Sequence, residues 1–89
     1  MRTKRTIENL GSLNKKALAK LEPFVAAVES LLAPKGVTVE VISGLRSWSA
    51  QSALYAQGRT KPGRILTKAR PGSSWHNYGL AIDLGLFQN

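Results

Sequence analysis

The feature that most constrains the fold is an alternation that begins at Gly79 and carries the only aspartate of the chain. Bulky apolar residues take every second position, and small or acidic residues lie between them: Leu80, Ile82, Leu84 and Leu86 alternate with Gly79, Ala81, Asp83 and Gly85. A period of two predicts a half-buried strand over 79–84 with one face in a core. Asp83 would then lie on the other face, among side chains too small to cover it.

His76, the only histidine, precedes Asp83 by seven residues. Gly79 lies between them and allows the chain to turn, so the imidazole can fold back toward the carboxylate. An imidazole nitrogen and a carboxylate oxygen form a partial ligand set for Zn²⁺, although catalytic zinc sites use three protein ligands. From these residues alone a plain hydrogen-bonded pair, or an ion pair between Asp83 and Arg46, is a stronger expectation than a metal site.

Length and hydropathy place the chain among small globular proteins. Its 89 residues make one domain, and a hydrophobic content of 43% argues against wholesale disorder. We predict a polar arm over 1–12, a helix over 13–33 and a motif-bearing core over 37–85. Pro23 should kink that helix or begin a second one.

The predicted core begins with the clearest strand, Val37–Ile42, which has β-branched residues at alternate positions. Ser47 is a typical N-cap and Gly58 a typical stop, which predicts a helix over 48–57. The fold class that follows is α+β, with a small antiparallel sheet formed by 37–42 and 79–84 and packed against the helices. Residues 58–73, here called the basic loop, contain five basic residues and no acid: Arg59, Lys61, Arg64, Lys68 and Arg70.

Charge and composition limit the classes of partner and of metal site that the chain could have. A net charge of +8 predicts attraction to polyanions, whether nucleic acid, an anionic membrane or an anionic cell wall. The absence of cysteine excludes disulfides and thiolate zinc sites. No apolar run approaches the ~20 residues of a membrane span. The basic residues 1–5 are not followed by the apolar stretch of a secretory signal.

Several motifs in register resemble one enzyme family. The pattern Ser74-x-His76-x-x-Gly79-x-Ala81-x-Asp83 is similar to the signature of D-Ala-D-Ala carboxypeptidase-like zinc peptidases. That family includes cell-wall carboxypeptidases and the L-alanyl-D-glutamate endopeptidases of phage endolysins. The upstream residues also resemble the endopeptidase branch. They follow the same order as in that branch: Ser43-Gly44-Leu45-Arg46-Ser47, then Gln51, then Leu54 to Gly63.

The resemblance implies a role for each matched residue and a substrate class. His76 and Asp83 would bind Zn²⁺, and Arg46 would polarise the scissile carbonyl and stabilise the tetrahedral intermediate. Gln51 would help to position the catalytic site, and Ser74 would contact the substrate on the free-amine side. The substrate would be the stem peptides of peptidoglycan, and the fold that of a hedgehog/D-Ala-D-Ala peptidase-like domain. Action at the cell wall would follow cytoplasmic synthesis, through phage lysis or another export route.

One part of the family pattern has no counterpart in these 89 residues. In the family the third zinc ligand is a second histidine some tens of residues after the aspartate, with an acidic general base just before it. We therefore expect an incomplete domain that binds metal weakly and hydrolyses little alone. A missing C-terminal segment or a second chain would complete the site. The alternatives are a non-catalytic remnant that binds cell wall or a partner and, less favoured, a basic nucleic-acid-binding domain.

Overall fold

The computed structural model describes residues 2–89 and shows a small α+β fold, which confirms the predicted class. In chain order its elements are helices α1 (Lys4–Gly11) and α2 (Lys15–Leu32), a short 3₁₀ helix (Ala33–Lys35), strand β1 (Val37–Ser43), helix α3 (Trp48–Ala56), a second 3₁₀ helix (Trp75–Tyr78), here called the site turn, and strand β2 (Asp83–Gln88). The strands form a two-stranded antiparallel sheet. Helices α1 and α2 pack on β1. No helix within residues 2–89 has the length and hydrophobicity that a membrane crossing requires.

Helix α1 corrects the prediction of a polar arm over 1–12. Thr3 caps it by accepting a hydrogen bond from the Thr6 amide. The buried Thr6 hydroxyl accepts the amide N–H of Val41, 3.0 Å away, and Asn9 donates to the Val41 carbonyl over 2.8 Å. These side chains satisfy backbone groups at the outer edge of β1. The prediction was wrong because this helix docks through polar side chains as well as through the buried Leu10, so its apolar stripe is short.

Helix α2 runs without a break through Pro23, so no second helix begins there. The Asn14 side chain caps it by accepting hydrogen bonds from the amides of Lys16 and Ala17. One apolar cluster fills the space between α1, α2 and the sheet, with its buried members surrounded by half-buried ones: Leu10, Leu13, Val25 and Val41, then Leu18, Leu21, Ile82 and Leu84. The helix predicted over 13–33 is therefore confirmed, with its first turn shifted to Lys15.

The two strands differ in how well the sequence located them. Strand β1 matches its prediction and extends by one residue to Ser43. Strand β2 begins only at Asp83, not at Gly79, and continues to Gln88. The start is late because Gly79 ends the site turn in a left-handed conformation, with φ +69°. Leu80 and Leu86, which the alternation placed in the core, are 41% and 61% exposed.

Candidate active site

The His76 ring is held by a backbone carbonyl. Its Nδ1 lies 2.8 Å from the carbonyl oxygen of Gly44. A carbonyl oxygen only accepts, so Nδ1 carries the proton and donates it. In the neutral ring Nε2 is therefore unprotonated and free to bind a cation, the arrangement seen for metal-ligating histidines whose other nitrogen is hydrogen-bonded. Only 12% of this side chain is exposed, so the ring has little freedom to turn.

Asp83 faces this free nitrogen. Its Oδ2 lies 3.5 Å from Nε2 of His76. Two ligand atoms at zinc–ligand distances of about 2.0–2.1 Å in a tetrahedral site are separated by about 3.3–3.4 Å. The spacing therefore suits a shared zinc ion, as does the pairing of a neutral imidazole with a carboxylate. Within residues 2–89 no group of three or more histidine, cysteine or acidic side chains gathers at one place, so these two are a partial ligand set.

A β-bulge brings the Asp83 carboxylate and the Ser43 hydroxyl together. The ladder register pairs Val41 with Leu84 but Ser43 with Asp83, which leaves Ile42 as an extra residue. Ser43 thereby donates from its hydroxyl to Asp83 Oδ2 over 2.9 Å. Bulges commonly re-aim side chains in this way near active sites. Our sequence reasoning matched Ser43 to the family pattern but gave it no role.

Arg46 lies on the other side of the carboxylate. One terminal nitrogen, Nη2, is 3.5 Å from Asp83 Oδ2, and the other, Nη1, donates to Oε1 of Gln51 over 2.9 Å. The Arg46 amide donates to the carbonyl of His76 over 2.8 Å, which ties the start of α3 to the site turn. The ion pair proposed as an alternative to a metal site is thus present, together with the approach of His76.

Gln51 is fully buried, with 0% of its surface exposed. Its Oε1 accepts from Arg46, and its Nε2 donates to the carbonyl of Ala69 in the basic loop over 2.8 Å. Both ends of the amide are satisfied, so its orientation is fixed. This polar residue in an apolar stripe of α3 therefore fixes the guanidinium of Arg46 and links it to the loop.

Ser74 and Asn77 organise the site turn. Ser74 is its N-cap and accepts from the His76 amide over 3.2 Å. Among residues 2–89 its hydroxyl hydrogen has no acceptor, so it remains available to a ligand. Asn77 is 7% exposed; its amide donates to the carbonyls of Arg46 and Ser47 and accepts from the amides of Gly72 and Ser74. Sequence reasoning missed Asn77, because its partners are distant backbone groups that no spacing rule predicts.

Gly79 is required where the site turn meets α2. Its carbonyl accepts the Asn14 amide over 3.0 Å, and a Cβ at this position would lie 2.7 Å from the Asn14 nitrogen. Its φ of +69° also disfavours any other residue. The turn that folds His76 back toward Asp83 therefore depends on this glycine, as the sequence predicted.

Comparisons with known proteins identify the family of this chain. The family model described as "VanY: D-alanyl-D-alanine carboxypeptidase" matches residues 11–89. Among curated proteins, the "Peptidoglycan L-alanyl-D-glutamate endopeptidase CwlK" of Bacillus subtilis (strain 168) is 53% identical over 60 residues. Those residues are 67% of this chain and 36% of that protein, so the chain spans well under half the length of the relative it matches.

The family resemblance inferred from the spaced motifs is therefore confirmed, because the family model covers most of the chain. The match gives no support to the nucleic-acid alternative. By the extent of the match, this chain belongs to the VanY family of D-alanyl-D-alanine carboxypeptidases.

Proposed function

We propose that this chain contributes the metal-binding and carbonyl-polarising part of a zinc-dependent peptidoglycan peptidase of the L-alanyl-D-glutamate endopeptidase type. The observation that supports it best is the 3.5 Å approach of His76 Nε2 to Asp83 Oδ2, with the other imidazole nitrogen held by a carbonyl. A zinc ion bound there would lower the pKa of a bound water and polarise a carbonyl. The substrate would be the stem peptides of the cell wall, where the protein would act.

The residues around that pair would supply orientation and charge. Arg46 holds a positive charge beside the carboxylate, where it can face the developing oxyanion of a scissile carbonyl. Gln51 keeps the guanidinium from rotating away, since its own amide is buried and bonded at both ends. Ser74 would donate its free hydroxyl hydrogen to the substrate. These roles follow the family pattern and are consistent with the hydrogen bonds.

Two ligands do not complete a catalytic zinc site, which uses three. We propose that a further segment or a second chain brings the third ligand and the general base. The 89-residue chain alone should then bind zinc weakly and hydrolyse little. Cytoplasmic synthesis followed by lysis or another export route would bring such a protein to the wall.

Zinc titration of the purified chain tests the metal pair directly. We expect His76→Ala and Asp83→Ala each to weaken zinc binding at least about tenfold, since each removes one of two protein ligands. Glu8→Ala is the matched control, because it removes an exposed carboxylate that only pairs with Lys4 on the same helix. Equal zinc affinity in the wild type and Asp83→Ala would refute the proposed site.

A chimera tests catalysis in a longer protein. Residues 11–89, the region that the family model matches, replace the equivalent region of the Bacillus subtilis endopeptidase, and digestion of purified peptidoglycan is measured. We expect cleavage that is abolished by a chelator, restored by zinc and absent from the His76→Ala chimera. An active His76→Ala chimera would contradict the ligand assignment, and appreciable digestion by the 89-residue chain alone would contradict the need for a further ligand.

A further inference from the structure

Among the described residues, ion pairs neutralise some basic residues near the N-terminus but none in the basic loop. Near the N-terminus, Arg2 pairs with Glu22 and Glu29, and Arg5 pairs with Glu40. Within residues 2–89 none of the ion pairs involves the basic loop, and its five basic residues are all exposed. The loop is therefore a cationic surface without an internal counter-charge.

Two of these cations converge on one aromatic ring. The guanidinium carbon of Arg59 lies 3.8 Å from the centre of the Tyr55 ring, and that of Arg70 lies 5.9 Å from it. Arg70 also contacts the Tyr55 hydroxyl over 3.3 Å, and this hydrogen bond lowers the pKa of Tyr55. Both guanidinium groups therefore add positive charge around the same ring, while Arg59 also donates from Nη1 to the carbonyls of Tyr55 and Thr67. A local concentration of positive charge attracts anionic groups.

The loop is also ordered before any ligand arrives. Its carbonyl oxygens accept hydrogen bonds from side chains along its length: Arg64 from Gln57, Thr67 from Arg59, Ala69 from Gln51, and Gly72 from Tyr78. A preorganised surface loses little conformational entropy on binding. The bond from Gln51 to Ala69 places this surface beside Arg46 and the candidate active site.

We propose that the basic loop binds an anionic phosphodiester polymer of the cell wall and so holds the site against its substrate. This inference rests on the proposed function for the choice of a wall polymer rather than nucleic acid. Cations spread along Arg59 to Arg70 match a repeating charge better than a single small anion. No helix or strand within residues 2–89 presents these cations for insertion into a nucleic-acid groove.

Matched charge variants of the 89-residue chain test the loop. The loop variant carries Lys61→Gln, Arg64→Gln and Lys68→Gln, which leaves the cations stacked on Tyr55 in place. The control variant carries Lys15→Gln, Lys16→Gln and Lys20→Gln on the exposed part of α2 and lowers the net charge equally. Binding to soluble poly(glycerol phosphate) is measured by calorimetry over a series of salt concentrations, after circular dichroism has shown that both variants are folded.

We expect the loop variant to bind at least about tenfold more weakly at low salt. Its slope of log K against log salt should fall by about 2, at roughly 0.7 for each phosphate that the variant no longer neutralises. The control variant should bind less than about threefold more weakly, because it changes only the overall field. Equal effects in the two variants would overturn the proposal. Arg70→Gln is an independent variant, and wild-type affinity in it would exclude the two-arginine cluster as an anion site.

Two further arms separate the sources of phosphate and the two proposals. Double-stranded DNA of equal charge should bind more weakly than poly(glycerol phosphate), because no helix or strand of the loop fits a groove, and equal or tighter binding of DNA would overturn the choice of a wall polymer. Polymer binding should persist in His76→Ala, whereas zinc binding should not. If the chain binds zinc but not the polymer, the loop proposal alone is refuted. If the chain binds the polymer but not zinc, the peptidase proposal alone is refuted.

Discussion

The two sides of the candidate active site are held in different ways. Around Arg46 and His76 the supporting groups are buried, with Gln51 at 0% and Asn77 at 7% exposure. The Asp83 side chain is 50% exposed, and its contacts converge on a single oxygen. Buried polar groups are costly to leave unpaired, whereas half-exposed ones can bond to water instead. The buried side should therefore determine stability, and the exposed side should determine ligand binding.

The largest loss of stability is expected from Asn77→Ala, which removes hydrogen bonds from the buried side of the site. It removes partners from two backbone carbonyls and two backbone amides. We expect the free energy of unfolding to fall by about 2–3 kcal/mol, which lowers the melting temperature by roughly 10 °C or more in a domain of this size. Thermal and urea denaturation followed by circular dichroism measure it.

Asn89→Ala is the matched control for that substitution. Its side chain is exposed and accepts one hydrogen bond from Thr38, so the loss should stay below about 1 kcal/mol. Unfolding of the two variants at the same urea concentration would show that the site turn does not depend on Asn77.

A smaller loss is expected from Gln51→Leu, which keeps a buried side chain of similar size but removes both of its hydrogen bonds. The Arg46 guanidinium and the Ala69 carbonyl each lose a partner, and we expect a cost of about 1–3 kcal/mol. Amide hydrogen exchange near Ala69 should also accelerate, because the loop loses its link to α3. Gln57→Leu is the control, since that side chain is only half-buried and donates to a single carbonyl, so exchange near Ala69 should stay unchanged.

The same contrast explains how much the sequence could predict. Local rules located β1, the Ser47 cap of α3 and the Gly79 turn, because each depends on a residue's own backbone preferences. The approach of His76 to Asp83 followed from that turn. The Thr3 cap is a local signal for α1 that the predicted polar arm overlooked. The docking of α1 could not be predicted locally, because Thr6 bonds to the Val41 amide in a strand 35 residues away.

Tertiary contacts also explain the two other misses. Gly79 is bonded to Asn14 rather than to a strand, and β2 begins only at Asp83, opposite Ser43, the last residue of β1. Asn77 looked like one more polar turn residue, and only its four bonds to separate segments reveal its role. Motif matching found the residues that we propose to face a ligand, whereas the residues that hold them in place were visible only in the structure.

The smallest change in stability is expected from Asp83→Asn. This substitution is the most direct test of the difference between the buried and the exposed side of the site. The substitution keeps the shape of the side chain and an oxygen that can accept from Ser43, so only the charge is lost. The Asp83 carboxylate lies 3.5 Å from Nη2 of Arg46 and is half-exposed. Because solvent screens such an ion pair, it contributes less than about 1 kcal/mol to the free energy of unfolding. Denaturation with a chelator present excludes any contribution from bound metal, which would stabilise the folded state by mass action. A loss above about 2 kcal/mol would instead mean that the carboxylate belongs to the buried scaffold, and reduced zinc affinity in this variant would then reflect a disordered site rather than a missing ligand.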